Sequence, residues 1–181
     1  MPPYSIEQVF DALRLHLKNH LDKLECFGKY EFQAEGWLKA EWMAHLAQMR
    51  GRGQIIGLDR EVVAKGRMKI DLAVDLRDGR HWIELKHWYI GHQKGQRWRP
   101  IDFIAELEQE CEKFGAVGAG ARGWIAALCT LNPGHKEWAD AIANFNRVYA
   151  PLSLTSSDRP TDYPASYFLG VLKVAGIAPN E

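Results

Sequence analysis

Residues 68–88 run Met-Lys-Ile-Asp-Leu-Ala-Val-Asp-Leu-Arg-Asp-Gly-Arg-His-Trp-Ile-Glu-Leu-Lys-His-Trp. The stretch predicts two β-strands joined through Asp78-Gly79, a dipeptide that favours a two-residue type I′ hairpin turn. With that loop, Arg77 faces Arg80, and pairing outward sets Val74 opposite Ile83, Leu72 opposite Leu85 and Ile70 opposite His87. Side chains alternate between the two faces of a strand, so the other face carries Asp75 opposite Trp82, Ala73 opposite Glu84 and Asp71 opposite Lys86. A one-residue slip would send Leu72 and Val74 to the polar face and destroy the sorting.

In this register Asp71 and Glu84 are diagonal neighbours, roughly 7–8 Å apart at the backbone, with Lys86 beside them. Two short carboxylate side chains across that gap can converge on one divalent cation. Acidic oxygen ligands suit a hard ion, Mg²⁺ or Mn²⁺, which keeps several waters and takes further oxygens from a phosphate. A phosphodiester substrate follows from that chemistry. Taken alone, Asp, Glu and Lys on one face of a hairpin are most often a solvated surface with weak cross-strand ion pairs, and it is the flanking elements that favour a site.

The pattern of Asp71, twelve intervening residues and then Glu84-Leu85-Lys86 resembles the active-site signature of the PD-(D/E)XK nuclease superfamily, the restriction-endonuclease-like fold. Ile70 stands where that signature often has proline. The order of elements strengthens the likeness: a glutamate-bearing helix precedes the hairpin, and a helix and an apolar strand follow it. The resemblance spans about residues 35–130 and implies an α/β fold with an αβββαβ core, a mixed central sheet flanked by helices. It implies metal-dependent hydrolysis of DNA, with RNA the lesser alternative. Asp71 and Glu84 would hold Mg²⁺ or Mn²⁺ together with the Leu85 backbone carbonyl, and Lys86 would orient or deprotonate the attacking water. The first core helix of such nucleases commonly supplies another carboxylate. Glu41 fits that role better than Glu35, because it precedes the next strand by about the usual interval. Glu61, on the following strand, is a further candidate acid. The alternative is a catalytically silent module that binds nucleic acid or a partner protein within a defence, repair or mobile-element system.

The rest of the chain fits one domain over residues 1–181, with an additional N-terminal helix over 1–27, the core over 32–131 and a C-terminal extension of helix and strand over 132–181. At 181 residues and 46% hydrophobic content the chain supports one well-cored unit. Lys plus Arg and Asp plus Glu are equal at 23 each, so nucleic-acid binding has to come from a local patch. One such stretch is Arg50–Lys69; another is His87–Pro100, which has no acid and mixes Trp88, Tyr89 and Trp98 with basic residues. In the second, Lys94, Arg97 and Arg99 read as phosphate contacts. His87 and His92 are open to a catalytic or metal role. Cys26, Cys111 and Cys129 show no pairing or metal-binding spacing, no apolar run is long enough for a membrane span, and a cytoplasmic setting is expected. A homodimer or a partner subunit is left open.

Apolar periodicity predicts a first helix from a Ser5 cap to about Glu25, on which His16 and His20 lie four apart. That spacing suits metal binding, but without a third ligand it reads as an exposed face. Further helices are expected over 32–49, 101–114 and 135–149, and strands over 55–64, 124–131 and 166–174. Asp102, Glu106 and Glu110 on the 101–114 helix read as a solvated strip.

Overall fold

The computed structural model describes residues 3–30, 33–63, 68–90, 109–114, 117, 122–131, 155–156 and 167–174. Three helices lead: α1 over Ile6–Lys18, α2 over Leu21–Tyr30 and α3 over Glu35–Gly51. Strands β1 (Gly57–Val63), β2 (Lys69–Leu76) and β3 (Gly79–Ile90) follow, then helical residues 109–114, then β4 (Arg122–Leu131), β5 (Thr155–Ser156) and β6 (Tyr167–Val174). The strands form one mixed sheet in the order β1-β2-β3-β4-β6-β5. β3 and β4 run parallel, and the other neighbours are antiparallel. The helix expected over 135–149 lies outside the described residues.

Ser5 caps α1 through a reciprocal pair, its hydroxyl accepting from the Gln8 amide while Gln8 Oε1 accepts from the Ser5 amide. The expected single helix to Glu25 is instead two. Asn19 closes α1 with its N–H on the His16 and Leu17 carbonyls, and α2 restarts after His20. Asparagine competes for backbone bonds and favours such helix ends. The apolar stripe survives the break, because Val9, Leu13, Leu17 and Leu24 are all buried. Arg-Gly-Arg-Gly ends α3 as expected: Gly53 takes the left-handed φ of 71° that glycine adopts cheaply, and the Gln54 amide bonds back to the Met49 carbonyl.

Leu72, Val74, Leu76, Ile83 and Leu85 share one face of the hairpin and are buried in a single core with Leu13 and Leu17 of α1, Leu38, Trp42 and Leu46 of α3, and Ala126 and Leu128 of β4. The face sorting expected for the hairpin holds, but its register is two residues away. Leu76 pairs with Gly79, Val74 with His81 and Leu72 with Ile83, so Arg77 and Asp78 form the loop. A type I′ turn needs positive φ at both central residues. Here the positive φ falls at Gly79, 123°, while Arg77 and Asp78 stay negative. Asp78 is fastened instead by its side chain, which accepts from Arg122 at 2.8 Å and meets His81 Nε2 at 3.0 Å. A shift of two preserves parity, so every side chain keeps its face.

The opposite face of the sheet is covered by the helical residues 109–114. Phe114 lies on Gly123 of β4, so closely that a Cβ there would sit 2.5 Å from Phe114 Cδ1 and 2.8 Å from Cγ. Gly123→Ala must therefore push the ring, and with it the segment carrying Glu110 and Lys113. We expect a loss of about 1–3 kcal/mol, as for other overpacked cores, read as a lower urea midpoint. An unchanged midpoint would mean that Phe114 does not rest there.

Candidate active site

The observed register, extended one step beyond Leu72 and Ile83, brings Asp71 directly opposite Glu84 rather than diagonal to it. At that step carboxylates replace carbonyls as acceptors. The Asp71 amide donates to Glu84 Oε2 at 3.2 Å, and the Leu85 amide donates to Asp71 Oδ2 at 2.9 Å. The ladder on the other side of Asp71 is also interrupted. Arg60 pairs with Leu72 and Val62 with Ile70, while Glu61 between them adopts φ 49°, a left-handed conformation that costs a side-chain-bearing residue about 1–2 kcal/mol. The sheet thus opens at Asp71, beside a cavity of about 310 Å³ lined by Lys39, Met43, Arg60, Glu61 and Asp71.

Each carboxylate gives one oxygen to the opposite strand and the other to a lysine. Lys39 of α3 bonds Asp71 Oδ1 at 2.8 Å and Glu35 Oε1 at 2.8 Å. Lys113 bonds Glu84 Oε1 at 2.7 Å and also Glu110, whose other oxygen takes Lys86 Nζ at 2.7 Å. Four carboxylates, those of Glu35, Asp71, Glu84 and Glu110, therefore share three ammonium groups, those of Lys39, Lys86 and Lys113. Among the described residues the acids exceed the ammonium groups by one, and the strain of that excess falls on Glu84. Burial, then the neighbouring Asp71 charge, push its pKa up to about 7 against the pull of Lys113. Burial also opposes ionisation of Glu110, but its bonds to Lys113 and Lys86 prevail and lower its pKa. For Lys39 and Lys113, burial works against the charged form and is outweighed by the carboxylates each one bridges, so both pKa values are raised.

The expected residues are thus partly brought together. Asp71 and Glu84 meet, and Lys86 stands on the same face, linked to them through Glu110 and Lys113. Leu85 contributes its amide to Asp71. Glu41 does not join them. It follows Lys39 by two residues, roughly 200° around the helix, and points at His16, His20 and Lys23. Glu35 is the α3 carboxylate on the hairpin side, reaching Asp71 through Lys39. Glu61 lines the cavity and pairs with Arg60 and Lys69. Glu110 is 8% exposed, a buried bridge rather than part of a solvated strip. Lys94, Arg97, Arg99 and His92 lie outside the described residues. Sequence reasoning missed Lys39 and Lys113, whose only signals are the spacings Glu35–Lys39 and Glu110–Lys113 on one side of a helix.

His87 is buried and structural. Its Nδ1 accepts from the Ala34 amide at the start of α3 at 3.0 Å, which fixes the proton on Nε2, 3.0 Å from Thr130 Oγ1. Burial pushes its pKa down to about 4, so the ring is neutral at physiological pH. The histidine thereby docks α3 onto β3 and β4, and fixes the helix that carries Lys39.

No protein-family model, curated protein or solved structure matches this chain. No helix among the described residues is long and apolar enough to cross a membrane.

Proposed function

We propose that the chain is a Mg²⁺- or Mn²⁺-dependent nuclease of the restriction-endonuclease-like class, hydrolysing phosphodiester bonds in DNA, with RNA the lesser alternative. The observation that carries this reading is the pair of carboxylates facing each other where both strand ladders open. The donor set fits a hard divalent ion. Asp71 Oδ1 and Glu84 Oε1 each hold an ammonium group already, and among the described residues the cluster has one acid more than it has ammonium groups. Those two oxygens, with the Leu85 carbonyl, would hold the metal. When bound, Mg²⁺ would acidify a water and offset charge on the phosphate. Asp71 and Glu84 fix the place of reaction, and their backbone partners across the hairpin hold both side chains in position. Lys86, an ammonium group poised on Glu110, would orient the water and offset charge on the phosphate. Lys39 and Lys113, displaced from the carboxylates, would face the anionic substrate. Lys94, Arg97 and Arg99 are proposed to hold the flanking phosphates.

A second reading rests on the same ion pairs. Each acid already has a lysine, so the cluster could serve as a closed network in a module that binds nucleic acid or a partner protein without cutting. The two readings differ in cleavage of supercoiled plasmid and single-stranded DNA in Mg²⁺ or Mn²⁺. We expect metal-dependent cleavage that chelator abolishes and Asp71→Asn reduces by about 100-fold or more. Cleavage of equal rate in wild type, Asp71→Asn and Lys86→Ala would remove the nuclease assignment.

A further inference from the structure

Glu41 of α3 gives the His16–His20 pair a third member. His16 Nε2 lies 3.2 Å and His20 Nε2 3.5 Å from the same oxygen, Glu41 Oε2. One ligand atom from each of the three residues lies within 4.8 Å of the other two. Four ligands around a zinc ion at 2.0–2.1 Å stand about 3.3–3.4 Å apart at the corners of a tetrahedron, close to the two histidine–glutamate separations. The other oxygen of Glu41 is occupied: Trp37 Nε1 donates to Oε1 at 3.1 Å and Lys23 Nζ at 3.2 Å. Those bonds turn Oε2 toward the two imidazoles, as outer partners orient a metal-binding carboxylate.

We propose that His16, His20 and Glu41 form a binding site for a borderline transition-metal ion of the Zn²⁺ class, distinct from the carboxylate site on the hairpin. Two imidazole nitrogens and one carboxylate oxygen suit Zn²⁺ and its neighbours, whereas Mg²⁺ prefers an all-oxygen shell. The three side chains are 20%, 22% and 23% exposed, so an ion can enter and keep a water as its fourth ligand. Lys23, 43% exposed, can withdraw toward solvent as the ion binds. The ligands come from α1, the α1–α2 junction and α3, so the ion would clamp the helical layer that covers the core. His45, its ring 4.6 Å from that of His16, is a flanking group and not a ligand.

The test is titration of the full metal-free chain with Zn²⁺ by calorimetry and with Co²⁺ by visible absorption. One ion per chain is expected at this site, with the intense visible bands of tetrahedral Co²⁺, displaced by Zn²⁺. Glu41→Gln and His20→Ala should each weaken binding by tenfold or more and lose the bands. Asp71→Asn should leave both unchanged, which separates this site from the hairpin. Circular dichroism of Glu41→Gln, an isosteric change, establishes that the fold persists. Absence of tetrahedral Co²⁺ bands, Zn²⁺ affinity equal in wild type, Glu41→Gln and His20→Ala, or bands lost in Asp71→Asn would each overturn the proposal.

Discussion

Glu84→Gln is expected to make the protein more stable while removing the proposed cleavage. The ionised carboxylate is 4% exposed and faces the Asp71 charge, which is why its pKa stands at about 7 rather than 4.5. A carboxyl group raised in this way adds no penalty below pH 4.5, a growing one between pH 4.5 and 7, and its full penalty above pH 7. Glutamine keeps the shape and removes the charge. Relative to wild type, the variant should gain on the order of 1–3 kcal/mol at pH 8 and close to nothing at pH 4.5, read from urea midpoints. Because His87 is unchanged in both proteins, its own titration cancels from the difference. His87 acts in the opposite sense, since stability is lost as pH falls from 6.5 toward its folded value of about 4. Plasmid cleavage should fall by about 100-fold or more in the same variant. A structural ion pair would behave otherwise, because losing a partner of Lys113 would lower stability at pH 8.

Trp42→Ala carries the largest expected loss of stability. Trp42 is fully buried in α3, in the core shared with α1 and the hairpin. Truncating a buried tryptophan leaves a cavity and costs about 3–5 kcal/mol. Trp42→Phe should cost much less, because the indole N–H has no hydrogen-bond partner among the described residues. The ordering can be read from thermal midpoints in one buffer. Equal losses for the two variants would show that the ring does not fill the core as described.

The hairpin, its apolar and acidic faces and the order of the surrounding elements were legible in the sequence, because alternation and turn residues are local signals. Its register was not, since Asp78-Gly79 fits two loops that differ by two residues and leave every side chain on the same face. Only the φ of Gly79 and the fastening of Asp78 to His81 and Arg122 decide between them. The difference matters, because it turns a diagonal pair into a facing one, Asp71 opposite Glu84. The nuclease resemblance points to Glu41 by its distance from the next strand, whereas rotation about α3 turns Glu41 toward α1 and Lys39 toward Asp71. Glu110 looked solvated because its partners, Lys86 and Lys113, come into reach only when the helical residues 109–114 pack on the sheet. His87, set in an aromatic and basic stretch, resembled a site residue. Its ring instead satisfies the backbone at the start of α3, a contact across 53 residues that no local pattern announces.

The most direct measurement is a crystal soaked in Mn²⁺ and examined for anomalous scattering. A peak bonded to both Asp71 and Glu84 is expected, with Lys39 and Lys113 moved off the oxygens they now hold. A hairpin that stays free of Mn²⁺ at millimolar concentration, with both lysines still on their carboxylates, would contradict the proposed metal site.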